Sequence, residues 1–233
     1  MPLIAIVDYG LEDLSLIESA LFDAGADVFP SSDPEAIVGA DGIVLYGKAG
    51  FGDAIAAIRE LNLEQYLKPA IVAKKPFLGI GVGMHLLYAT GRESSTGQLG
   101  ERYVKGLDFV VGSCRELPDV DDYGFDFEIP HRGMAPVYRD DRCNAQILDG
   151  IEDGTEFYFD HSFIVPTGPL IKAWSTYSIT FPAIVNFHNS YMGVQFFPEE
   201  SGEAGLQLLR NFVMLCANAE EIEDLKFQFG PAF

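Results

Sequence analysis

Basic residues are scarce in this chain. Fifteen Lys and Arg stand against 35 Asp and Glu, a formal net charge of −20. Affinity for nucleic acid rests largely on Lys and Arg placed on phosphates, so this balance argues against such a partner. An anionic membrane surface would repel the chain for the same reason. Cysteine is also rare: Cys114, Cys143 and Cys216 are odd in number, far apart and without metal-ligand spacing. That usage predicts a reducing, cytoplasmic setting. No apolar run reaches the roughly 18 residues that a membrane helix needs. The segment from Met1 to Val7 lacks the basic start of a leader peptide and meets Asp8 too early. The glycine-rich stretch from Gly47 to Gly52 lacks phosphate-loop spacing, and His85, His131, His161 and His188 fall into no recognised metal spacing. Neither a cofactor nor a metal is expected.

The most informative absence is a nucleophile. Pro76 to Met84 reads Pro-Phe-Leu-Gly-Ile-Gly-Val-Gly-Met, a buried strand that turns through glycines into a helix. That is the layout of a nucleophile elbow, which holds a Ser or Cys at a strained turn above a sheet. Gly81 occupies the nucleophile's place and has no side chain to offer.

What remains is ample for a large core, since 48% of residues are hydrophobic and 12% aromatic. Leu3 to Asp8 is a short apolar run suited to a strand buried on both faces. Leu14, Ile17, Leu21 and Phe22 follow at helical spacing, with Gly25 as the stop. Strands are predicted over Asp27–Phe29 and Ile43–Tyr46. Helices near Ala54–Glu64 and Gln65–Ala73 lead to the Leu78 strand. This alternation predicts an α/β fold: a three-layer sandwich with a central, mostly parallel sheet flanked by helices. From Lys105 to Val194 the chain turns β-rich, with Pro118, Pro130, Pro136, Pro166 and Pro169 as punctuation. A helix near Gly202–Asn218 and an acidic tail over 219–233 close it. No linker divides the chain, so residues 1–233 are read as one domain.

Ordered segments along nearly the whole chain resemble the class I glutamine amidotransferases, and among them the glutaminase subunits of imidazole glycerol phosphate synthases. They include Asp8-Tyr9-Gly10, the Gly47 to Ala54 region, Leu78 to Met84 and Pro130-His131 with Gly133. Tyr158-Phe159 with His161-Ser162, Gly193 to Phe196 with Pro198-Glu199, and Ser201 to Phe212 complete the set. The resemblance implies the family fold and a place in histidine biosynthesis. It also implies a (β/α)8-barrel synthase partner that receives ammonia from glutamine, released by a Cys–His–Glu triad.

The triad does not carry over. The family's Cys falls on Gly81 and its His on Phe197, so only Glu199 survives. Its Gln one turn after the nucleophile is His85, and the oxyanion-loop segment Pro-Gly-Val-Gly reads Tyr46-Gly47-Lys48-Ala49. Glutamine hydrolysis is therefore expected to be absent, in a partly closed, more apolar pocket lined by Gly47, Lys48, Val82, His85 and His161. Glu199 is read as a helix-terminal carboxylate, and His85 as a hydrogen-bonded histidine on the helix face above Gly81. On the partner-facing surface, the family's Gly-Asn pair becomes Glu12-Asp13, which would alter electrostatic complementarity. The leading expectation is a pseudo-glutaminase that binds or regulates a barrel synthase. The alternatives are an enzyme with rebuilt chemistry around His85, Glu199 and Lys48 acting on another small substrate, and a synthase subunit supplied with free ammonia.

Overall fold

A computed structural model describes residues 1–92, 103–141, 143–187 and 189–229, with the backbone alone for 219–229. The parallel part of the chain runs β1 (Leu3–Val7), α1 (Ser15–Asp23), β2 (Asp27–Ser31), α2 (Pro34–Gly39), β3 (Gly42–Gly47), α3 (Phe51–Glu60), α4 (Glu64–Val72), β4 (Phe77–Gly81) and α5 (Val82–Leu86). Short strands follow: β5 (Tyr88–Arg92), β6 (Tyr103–Lys105), β7 (Val110–Ser113) and β8 (Arg115–Glu116). The chain continues with β9 (His131–Arg139), β10 (Thr155–His161), β11 (Phe163–Ile164), β12 (Ile171–Thr176), β13 (Thr180–Phe187), β14 (Tyr191–Val194) and α6 (Gly202–Phe229). The last helix thus covers the first part of the segment expected as an acidic tail. Residues 230–233 and His188 lie outside the described residues.

One nine-stranded sheet organises the molecule, in the order β10-β9-β12-β13-β14-β4-β3-β1-β2. From β14 to β2 the neighbours are parallel, and from β14 to β10 they are antiparallel. Strands β9, β10, β12, β13 and β14 of the β-rich second half therefore continue the same sheet, while β5, β6 and β7 form a small three-stranded sheet and β8 pairs with β11.

Strand alternation explains the three layers. Ile4 and Ile6 of β1 face one way, into a core with Ile17 and Leu21 of α1 and Leu208, Leu209 and Phe212 of α6. Ala5 and Val7 face the other way, into a core with Ile37 of α2, Ile55 and Ile58 of α3, Leu67 of α4 and Met84 of α5. With both faces covered, β3 and β4 are buried along their whole length. This accounts for their continuous apolar sequences. Helix α2 is started by Asp33, whose carboxylate accepts from the Glu35 amide at 3.0 Å, with Pro34 at the first helical position.

Two contacts bring the functional region together. Helix α5 lies so close to β3 that a Cβ on Gly83 would sit 1.7 Å from the Leu45 carbonyl oxygen. The antiparallel half of the sheet also curls, so that β10, at its edge, returns to the chain just after β14. There the Phe197 amide donates to the Tyr158 carbonyl at 2.9 Å, and the Phe157 and Phe196 rings stack at 4.1 Å. The ends of β3, β4, β10 and β14 meet as a result.

Candidate functional site

Strand β4 ends at Gly81, whose backbone (φ +60°, ψ −119°) makes the turn into α5. This is the elbow the sequence predicts, in a region of backbone space that side chains adopt only under strain. The space above it is closed. A Cβ built on Gly81 would lie 2.4 Å from the Gly47 carbonyl oxygen and 2.9 Å from Cζ of Phe197. The glycine is thus enforced by its neighbours as well as by its torsion angles.

Phe197 is 1% exposed and meets Tyr46 edge to face, with ring centroids 5.8 Å apart. The Lys48 ammonium lies 4.4 Å from the Phe197 ring centroid, within cation–π range. The same ammonium pairs with Glu200 at 2.5 Å. Lys48 therefore closes one wall, joined to Glu200 across a separation of 152 residues.

The loop after β3 is latched from the opposite side. Oε1 of Glu12 accepts hydrogen bonds from the Lys48 amide at 2.9 Å and the Ala49 amide at 2.8 Å. The Tyr9 hydroxyl donates to the Tyr46 carbonyl at 2.9 Å and lies 3.1 Å from the same carboxylate oxygen. Glu12, expected on the partner-facing surface, thus points back into the chain. Asp13 stays exposed, where its carboxylate accepts from the Ser15 amide.

Replacing Glu12 by Ala should release both loop amides at a cost of about 1–2 kcal/mol, the usual scale for charge-assisted hydrogen bonds that are partly solvated. Hydrogen exchange at Lys48 and Ala49 should accelerate, while Asp13→Ala leaves it unchanged. Unaltered protection of both amides in the Glu12 variant would contradict the latch.

Behind Phe197 lies the surviving triad position. Both carboxylate oxygens of Glu199 are buried without a hydrogen-bond partner. Burial raises its pKa to about 7; the adjacent Tyr46 and Lys48 favour the ionised form, although the Tyr46 hydroxyl falls short of hydrogen-bond geometry. Glu199 sits in a short 3-10 turn (Pro198–Glu200) just before α6, and it is not among the residues that line the cavity.

The cavity itself measures about 140 Å³. Gly47, Lys48, Gly81, Val82, His85, His161 and Phe197 all line it. His85 is buried on α5, and its Nε2 lies 2.8 Å from Oε1 of Gln195. With the amide oriented in this way, the imidazole donates. Burial lowers the His85 pKa to about 4, which leaves it neutral at physiological pH.

His161 ends β10 opposite His131 on β9. Its Nδ1 donates to the Phe163 carbonyl at 3.0 Å, so its Nε2 accepts from Nδ1 of His131 at 3.1 Å. Burial, and secondarily the neighbouring His131, depress His161 to about 3, while burial alone takes His131 to about 4. Asp160 also borders the cavity and pairs with Arg132 at 3.2 Å. Among the described residues, no three His, Cys, Asp or Glu side chains are grouped to hold a metal ion.

Sequence reasoning missed Gln195, although strand alternation places it on the same side as Phe197. Glu200 as the Lys48 partner, and Cys114 beneath His85, had no local signal. The Cys114 thiol donates to the His85 carbonyl at 3.6 Å. The result is a pocket with no thiol or hydroxyl nucleophile at the elbow and no base beside it. Its histidines are neutral and committed to hydrogen bonds.

The family profile for class-I glutamine amidotransferases matches residues 5–216. The chain is 36% identical over 212 residues to the imidazole glycerol phosphate synthase subunit HisH of Methanothermobacter thermautotrophicus, covering 91% of this chain and 98% of that protein. It is also 36% identical over 218 residues to the HisH subunit of Moorella thermoacetica, covering 93% of this chain and 96% of that protein. Among solved structures, it resembles a glutamine amidotransferase with a TM-score of 0.65 at 13% identity, covering 92% of this chain and 98% of that one. At that identity the likeness concerns the fold alone.

Proposed function

The chain belongs to the class-I glutamine amidotransferase family, and from that premise we propose that it is a HisH-like subunit that has given up glutamine hydrolysis and acts through a partner. The reading assigns it to a (β/α)8-barrel synthase-like subunit, which it binds or regulates, and to the histidine-biosynthetic setting of its relatives. One observation carries the loss of chemistry: the Phe197 ring stands 2.9 Å from the position that a Cβ on Gly81 would take. A triad hydrolase needs a nucleophile and a base within hydrogen-bond reach of each other. Here the first position has no side chain, and a hydrocarbon ring fills the second.

His85 does not replace them. It is held by Gln195 and has no nucleophile to deprotonate. Glu199 is separated from the cavity and has no imidazole to orient. The preserved scaffold, matched along nearly the full length of its relatives, leaves surface and shape as the functional remainder.

The test combines two measurements on the purified chain and the barrel synthase of its own organism. Glutamate release from glutamine should stay at background with and without the barrel, while sedimentation shows a complex. Glutamine turnover abolished by His85→Ala would overturn the loss of hydrolysis. Failure to form any complex would overturn the partner assignment.

A further inference from the structure

The cavity left by the lost chemistry retains features of a recognition site. Its volume of about 140 Å³ is close to that of an engineered apolar cavity that admits one benzene ring. Phe51, Phe163 and Phe197 contribute aromatic wall, and His85, His161 and Gln195 contribute the polar part. Gln195 is fully buried. While Oε1 accepts from His85, its Nε2 has no hydrogen-bond partner. If the amide is turned over, one of its ends still remains unpaired. Such an orphan costs roughly 1–3 kcal/mol, which a bound partner relieves.

The electrostatics define the ligand further. Both histidines are neutral, for the reasons of burial given above. The charges at the rim are paired with one another: Lys48 with Glu200, Asp160 with Arg132, and Arg92 with Glu116. The remaining carboxylate, Asp53, stands in solvent at the head of α3. A zwitterion such as glutamine would therefore bring two charges to a wall whose counter-charges are already engaged.

We propose that this cavity binds a neutral, planar molecule of single-ring size carrying a carboxamide-type hydrogen-bonding edge. The ring lies among the phenylalanines and the edge pairs with the unpaired end of Gln195. A carboxamide offers donor and acceptor side by side, so it meets either orientation of that amide. This goes beyond the proposed function and does not depend on it, since it concerns the free chain.

Benzamide is the probe, with benzoate and toluene as near-isosteric controls, and titration calorimetry on the whole chain is the readout. Benzamide should bind about tenfold or more tightly than either control, the scale of one satisfied hydrogen bond. Gln195→Leu should erase the preference for benzamide over toluene. Ala49→Leu, which adds bulk at the cavity wall, should weaken both probes, and thermal melts confirm that each variant is folded. Equal binding of benzamide and toluene, stronger binding of benzoate, absence of benzamide binding, or binding indifferent to both variants would each overturn the proposal.

Discussion

Replacing Gly81 by Cys is expected to leave glutamine hydrolysis undetectable and to cost the fold about 2–5 kcal/mol. The range combines strain of roughly 1–3 kcal/mol for a side chain at this backbone geometry with overpacking of similar size. Both terms follow from the local geometry: φ is +60°, and the new Cβ would meet the Gly47 carbonyl at 2.4 Å and Phe197 at 2.9 Å. Phe197→His in the same chain should restore part of the stability, because the imidazole is smaller than the ring it replaces. The two substitutions should therefore be non-additive by about 1 kcal/mol or more. Activity should still be absent in the double variant. The Gly47 carbonyl remains over the elbow, in a loop fixed by Glu12 and by the Lys48–Glu200 pair. Urea titrations of the single and double variants, with a glutamate assay on each, test both parts. Glutamate release by Gly81→Cys alone would show that a base exists where none is seen.

Glu199→Gln is expected to stabilise the protein in a strongly pH-dependent way. The folded-state pKa of about 7 lies above the ordinary value of 4.5 because burial disfavours the charged form. A raised pKa means that the folded chain holds a proton that the unfolded chain releases. This contribution is fully present below about pH 4.5 and is lost as pH rises through 7. The total is about 3 kcal/mol from the size of the shift. The neutral amide removes the effect, so its advantage should grow from under about 1 kcal/mol at pH 5 to about 3 kcal/mol at pH 8. His85, His131 and His161, with lowered values, act in the opposite sense and weaken the fold as pH falls below 6.5. They are common to both proteins and cancel in the difference. A constant advantage at every pH would mean that the amide acts through packing alone.

These two positions differ in what a reader of the sequence could know. Gly81 was legible because an elbow is a local object: strand, glycine turn and helix lie within nine residues. Its neighbours were not. Phe197 is 116 positions further along, and the parallel pairing of β14 with β4, which sets Val194 opposite Ile80, brings it beside the turn. Glu199 could be read as a carboxylate near a helix start, but its burial and missing partners depend on Tyr46 and Phe197. Glu12 shows the same limit from the other side. As one of two acids after a turn it reads as surface, yet Tyr9 and two amides 36 and 37 residues away draw it inward.

The sequence by itself determined the layered α/β scaffold, because continuous apolar strands and helical periodicity are written in residues that lie close together. It also determined the absence of a nucleophile, since no fold can supply a side chain that glycine lacks. Only the tertiary structure decided what became of the vacated site. The Phe197 plug, the Lys48–Glu200 wall, the Glu12 latch and the His85–Gln195 pair join residues 36 to 152 positions apart. Such contacts form when packing brings distant strand ends together, and no local pattern encodes that geometry.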